Sequence, residues 1–244
     1  MIEIKNISKT FSQKNIFKDL SLQIYRGDSI AIIGQSGVGK SVLLKHINGL
    51  LSPDSGQVLI DKQNINKLSF SKKQDIRKKM SMVFQFGALF DSLPVSENIS
   101  LALKKLTKLS EEEICIRVQK SLASVDMENT EDLMPAELSG GMKKRVGIAR
   151  AIALDPDYLF YDEPTTGLDP VMTDSINRLI RKFQNSEQVT SVIVTHEMRT
   201  VYDVSDRVLL IHEGKIQFDG SPKEIKQIDD PIVQQFITGN SILV

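Results

Sequence analysis

The sequence predicts an α/β fold with a mixed, largely parallel sheet, an antiparallel β layer and an inserted helical subdomain. Three observations predict it. An all-apolar run, Ile30–Ile33, feeds a glycine-rich turn and then a helix-like run, Val42–Asn48; unbroken apolar strands are those covered on both faces of a parallel sheet. Two more apolar runs, Tyr158–Tyr161 and Ser191–Val194, flank a helical pattern over Val171–Phe183, and strands alternating with helices build parallel sheets. The first sixty residues hold short alternating strands, the mark of a half-exposed antiparallel layer.

Taken in order, Met1–Ile7 and Leu20–Tyr25 alternate, and Gln57–Asp61 follows a Pro53-Asp-Ser-Gly56 turn signal. Arg26-Gly27-Asp28 is a tight turn into the buried strand. From about Val95 the pattern turns helical, with Ser96 as one helix start and Ser110-Glu-Glu-Glu113 as a capping box before an amphipathic stretch through Val125. Pro94 and Pro135 punctuate this region. The expected division is an α/β core over about 1–86 and 137–230, a helical insertion over about 87–136, and a C-terminal helical tail over about 231–244, all in one domain. Near the end, Val208–Ile211 and Lys215–Phe218 flank His212-Glu-Gly214, a hairpin signal.

The formal charge balances to zero, so no basic field points to nucleic acid. Lys72-Lys73 and Arg77-Lys78-Lys79 read as a solvated helix face or end. Cys115, the single cysteine, excludes an intrachain disulfide and is expected to be a small core hydrophobe. No apolar run approaches the length of a membrane span, and the start carries no signal-peptide pattern. His46 and His212 match no motif and are expected to be structural.

The turn after Ile33 reads Gly34-Gln35-Ser36-Gly37-Val38-Gly39-Lys40-Ser41. Its strand–loop–helix setting makes it a phosphate-binding loop and the predicted core that of a P-loop NTPase. Glycines let backbone N–H groups close on phosphate oxygens, and the helix start favours anions. Lys40 can reach the β- and γ-phosphates, and Ser41 can bind Mg²⁺. Asp162 and Glu163 follow a buried strand; Asp162 is expected to hold the metal, and Glu163 to deprotonate the water that attacks the γ-phosphorus. A second helix start, Leu138-Ser139-Gly140-Gly141-Met142, offers another anion-binding N-terminus.

Together with Phe11, Gln85, Gly167-Leu-Asp169 and Thr195-His196, these motifs resemble the ATP-binding-cassette ATPases, in order and over nearly the whole chain. The resemblance implies a head-to-tail dimer holding two ATP molecules. Each would touch the phosphate loop of one copy and the signature, Ser139–Gly141, of the other. It implies adenine stacking for Phe11, Mg²⁺ and water sensing for Gln85, γ-phosphate contact in support of Glu163 for His196, and an interface-crossing loop at Asp169. The stretch Gln85–Leu93, with the apolar Phe84, Phe86, Leu89 and Phe90, would receive a short helix of a membrane permease.

Two departures, Met142 where Gln is usual and Tyr161 in the strand before Asp162, resemble the Mla/Mce-type phospholipid-transport ATPases. So do Phe84–Leu93, Glu163–Pro170 and the ending Asp230–Gly239. That likeness implies permease subunits, an Mce-like substrate-binding subunit and a peripheral place on the cytoplasmic face of the inner membrane. The alternatives are the ATPase of an amino-acid or other small-solute importer and a cassette protein without a transporter.

Overall fold

The computed structural model describes residues 1–85, 87–187 and 189–239. One sheet is antiparallel, in the order β2-β1-β4-β5: β1 is Ile2–Phe11, β2 Lys14–Ile24, β4 Ser55–Ile60 and β5 Gln63–Asn64. The other has the order β10-β9-β3-β8-β7-β6, built from β3 (Ser29–Ile33), β6 (Met80–Val83), β7 (Tyr158–Asp162), β8 (Thr190–Val194), β9 (Arg207–His212) and β10 (Lys215–Gly220). Its first five strands in the chain run parallel, and only β10 returns antiparallel through the Glu213-Gly214 turn. Both turn residues have positive φ (47° and 79°), the two-residue turn whose twist suits a hairpin.

Strand alternation divides the core. Ile30, Ile32, Tyr158, Phe160, Val192 and Val194 face the antiparallel layer and helix α1 (Lys40–Ile47), meeting Ile2, Ile4, Phe17, Leu43, Leu44 and Ile47. Leu159, Tyr161 and Ile193 face the opposite way, against α3 (Val95–Leu106), α4 (Glu111–Ser124), α5 (Gly140–Ile152) and α6 (Pro170–Glu187). Ala31, Ile33, Val208 and Leu210 meet α7 (Met198–Val204), α8 (Glu224–Gln227) and α9 (Pro231–Thr238). The expected helices therefore cover one face; the other is shared between α1 and the antiparallel layer.

The capping box forms as expected: Ser110 Oγ accepts from Glu113 N–H at 3.2 Å, and Glu113 accepts from Ser110 N–H at 2.7 Å. Cys115 is a correction. It is exposed, because Ile114, Val118 and Leu122 form the inward stripe of α4 and Cys115 stands one residue off it. The basic cluster needs refinement too. It falls on and just after α2 (Phe70–Arg77), and Lys72, Lys78 and Lys79 are exposed. Arg77, however, donates to the carbonyls of Asn48 and Gly49 at 3.1 and 2.9 Å, capping the end of α1. His46 is structural: fully buried, with Nδ1 2.7 Å from Val42 O and its ring edge-on to Phe17.

Among the described residues no helix is long and apolar enough to cross a membrane.

Candidate nucleotide site

Four neighbouring parallel strands place the site. Their registers align Val83 with Tyr161, Tyr161 with Ile193, and Ile32 with Val194. The segments leaving β3, β6, β7 and β8 therefore emerge side by side at the carboxyl end of the sheet, where open α/β sheets bind ligands. They carry the phosphate loop, Gln85, Asp162-Glu163 and His196.

These segments enclose a cavity of about 610 Å³ lined by Gly34, Gln35, Ser36, Gly37, Gly39, Lys40, Ser41, Gln85, Asp162, Glu163 and His196, with Ile16, Val42 and Phe236 at its edges. Gly39 has φ 112°, and a Cβ there would lie 2.5 Å from Ile16 Cγ2. Gly34 is equally constrained, since its Cβ would meet Ile211 O at 2.5 Å. Val38 is not among the lining residues; its side chain packs on the core. Lys40 is almost fully buried, and its ammonium donates to Gly34 O at 2.7 Å and Gln35 O at 3.2 Å. Burial lowers its pKa, against the raising influence of the Glu163 and Asp162 carboxylates.

Ser41 Oγ donates to Asp162 Oδ1 at 2.9 Å. Burial raises the Asp162 pKa, opposed by this hydrogen bond, while Glu163 beside it raises it further. One hydroxyl and one carboxylate, both hard oxygen donors, suit Mg²⁺, which usually takes one or two protein oxygens and completes its shell from phosphates and water. Among the described residues no cluster of three or more His, Cys, Asp or Glu side chains stands ready to hold a metal unaided.

Glu163 has φ 51°, a left-handed conformation that costs a non-glycine residue about 1–3 kcal/mol and persists only where its surroundings enforce it. They do. Its N–H donates to Val194 O at 2.8 Å, its carbonyl accepts from Lys144 Nζ at 3.2 Å, and Oε2 accepts from Thr166 Oγ1 at 3.0 Å. His196 Nδ1 lies 2.9 Å from the same Oε2, leaving Nε2 for another partner.

The remaining expected residues lie apart from the cavity lining. Phe11 ends β1, 42% exposed, opposite Lys14, whose ammonium donates to Gly37 O at 3.3 Å; the hairpin end thus rests against the phosphate loop. Ser139, Gly140 and Gly141 open α5. Ser139 caps it, accepting from Met142 N–H at 3.3 Å, and both Ser139 and Gly140 are exposed. A Cβ on Gly141 would collide with Met172 Cε at 2.0 Å. Asp169 is exposed and caps the start of α6, accepting from the N–H groups of Val171 and Met172.

The ABC transporter family profile matches residues 17–166. The chain belongs to the ABC transporter ATPase family. The phospholipid transport ATP-binding protein MlaF of Haemophilus influenzae, an intermembrane system, is 39% identical over 241 residues, covering 99% of this chain and 91% of that protein. Methionine import ATP-binding protein MetN 1 of Bacillus cereus is 41% identical over 229 residues, covering 92% of this chain and 66% of that protein. A solved dimeric ATP-binding cassette in a post-hydrolysis state, bound to ADP and Pi, superposes with a TM-score of 0.84 at 31% identity, covering 91% of this chain and 99% of that one.

The cassette is thus an ATP-binding ATPase, and its cavity residue Glu163 is held by two side chains that the motifs did not single out. Thr166 holds the Glu163 carboxylate, and Lys144 holds its backbone. A helical count would have pointed to Lys144, one turn after Gly140 on a face that includes Gly141 and Ile148. The segment after Gln85 is held from outside the cavity: Arg150 donates to Gly87 O and Ala88 O, both at 2.7 Å. Asn98 Oδ1 accepts from Phe90 N–H at 2.7 Å, and its amide donates to Leu93 O at 2.8 Å. Phe84 and Phe90 stay 41% and 52% exposed there. Phe86, and Ile242 and Leu243 of the tail, fall outside the described residues.

Proposed function

We propose that this cassette powers phospholipid trafficking of the Mla/Mce type as one of two identical ATPase subunits beneath a membrane permease. The observation that carries the lipid reading is the 39% identity to a phospholipid-transport ATP-binding protein along 99% of this chain. Met142 and Tyr161 point the same way. The methionine importer supports a second reading, an ATPase for a small-solute importer, over a smaller share of both chains.

In the proposed cycle the phosphate loop wraps the β- and γ-phosphates, and phosphate oxygens replace Gly34 O and Gln35 O as partners of Lys40. Ser41 and Asp162, with Gln85 nearby, would hold Mg²⁺, which when bound neutralises phosphate charge. Glu163 takes a proton from water as the water oxygen bonds to the γ-phosphorus and the bond to the ADP oxygen breaks. His196 offers Nε2 to a γ-phosphate oxygen, which requires a proton on that nitrogen. Ser139, Gly140 and Gly141, apart from this cavity and the first two of them exposed, serve the second copy's ATP, while Phe11 stacks on adenine.

Closure of the dimer would reach the permease through the groove between the core and the helical insertion, near Gln85–Leu93, where Phe84 and Phe90 offer apolar surface. The protein then sits peripherally on the cytoplasmic face of the inner membrane, with an Mce-like subunit handling lipid and no role for nucleic acid. Purification of the tagged protein from detergent-solubilised native membranes, with mass spectrometry of proteins and lipids, tests this. A lipid-type permease, an Mce-like subunit and enriched phospholipid are expected. A small-solute permease without enriched lipid overturns the lipid reading and leaves the ATPase chemistry standing.

A further inference from the structure

We propose that Lys144 is a positioning residue for ATP hydrolysis, holding the backbone of Glu163 from the same helix that begins with Ser139–Gly141. The proposal rests on the reading of Glu163 as general base.

Lys144 is 5% exposed, and among the described residues its ammonium makes one hydrogen bond, to Glu163 O at 3.2 Å. It also faces the carboxylates of Glu163 and Glu197. Burying an ammonium is costly, and packing alone at this position would need only an aliphatic side chain. The accepted carbonyl is a special one. Pro164 follows Glu163, so the peptide between them has no N–H, and its oxygen is the one polar handle by which that plane can be fixed. On the other side, the Glu163 N–H is pinned to Val194 O in the neighbouring strand. The left-handed conformation of Glu163 is therefore held from both flanks, by β8 before the residue and by α5 after it.

The same geometry links two parts of the machinery. Lys144 stands in the second turn of α5, whose first residues are Gly140 and Gly141. A shift of that helix start moves Lys144, and with it the peptide that fixes the base of the same chain. In a dimer whose signature touches the partner's nucleotide, occupancy of one site would bear on the base of the other.

The test is ATPase kinetics of Lys144→Met, alone and combined with Glu163→Gln, beside equilibrium binding of a labelled ATP analogue. K144M is expected to lower kcat about tenfold or more, since small misplacements of a reacting group carry penalties of that order. KM and analogue affinity should stay within about twofold. Lys144→Arg, which keeps a charged donor, should restore most of the loss. In the E163Q background K144M should add almost nothing, because a residue acting only through the base has no further effect once the base is gone. If thermal denaturation shows K144M unfolded, Lys144→Gln replaces it, with the same kcat-against-KM split expected. Turnover of K144M within twofold of wild type overturns the proposal, as does an undiminished K144M effect in the E163Q background. Full turnover of E163Q by itself overturns instead the underlying assignment of the base.

Discussion

Glu163 meets three requirements of a general base in one residue: a carboxylate in the phosphate cavity, a fixed orientation, and a hydrogen-bonding neighbour in His196. Its replacement by Gln keeps size and hydrogen bonding to Thr166 but removes the proton acceptor. The expected result is a drop in kcat of roughly 10²–10⁴-fold with analogue binding retained; near-wild-type turnover would remove Glu163 from that role. Lys40→Ala should instead lose affinity, measurable by titration with a labelled ATP analogue, because the ammonium lies inside the cavity with its stem buried. Lys144 supplies a pH-dependent prediction. Burial moves its pKa from 10.5 to about 8, so between those values the unfolded chain binds the extra proton and stability rises with pH. Below about pH 8 both states are charged and the burial penalty is complete. The denaturant midpoint of wild type relative to K144M should therefore shift in favour of wild type from pH 8 towards 10.5; a constant gap would contradict the buried charge. Residues such as Lys40, Ser41, Asp162 and Glu163 were legible because spacing fixes their neighbours. Lys144 and Thr166 were not, since their roles depend on contacts between α5, β7 and the loop that follows it. Cys115 was misread for a simpler reason: one step along a helix turns a residue by 100°.

At the scale of elements, α1 and the loop before it depend on glycine conformations that no other residue adopts without strain. Gly39→Ala should lower both stability and nucleotide affinity, because φ 112° and the Ile16 contact cannot both be kept; a cost of about 1–3 kcal/mol in denaturant unfolding is expected. An unchanged midpoint would show that the loop relaxes freely. The capping box of α4 lies far along the chain from the phosphate loop. Ser110→Ala should cost about 1 kcal/mol of stability while leaving ATPase activity unaltered, and loss of activity without loss of stability would contradict its purely structural part. Parallel strands β3, β7 and β8 were readable as apolar runs, as was the β9–β10 hairpin. Strand β6 was not read. Its four residues, Met80–Val83, follow a charged helix end and contain a serine, too short a pattern to separate from a loop until β7 pairs with it. The division of the sheet's faces between α1 with the antiparallel layer and the other helices is likewise set by tertiary packing.

For the whole molecule, the decisive fact is a separation. The cavity holds the phosphate loop, the candidate metal ligands and the base, while Ser139, Gly140 and Gly141 are not among its lining residues and two of the three are exposed. A second anion-binding helix start facing solvent is explained if it completes the cavity of another copy. That pairing was suggested by the order of the motifs, whereas the distance between them within one chain needed the fold. The most direct measurement is the solution mass of Glu163→Gln by light scattering, with and without Mg²⁺-ATP, beside the same protein carrying Ser139→Arg. E163Q is expected to pass from monomer to dimer on adding ATP, and the double variant to bind ATP and remain monomeric. An E163Q protein saturated with ATP yet still monomeric, or an S139R/E163Q protein that dimerises unhindered, would contradict a site completed by the signature of a second copy.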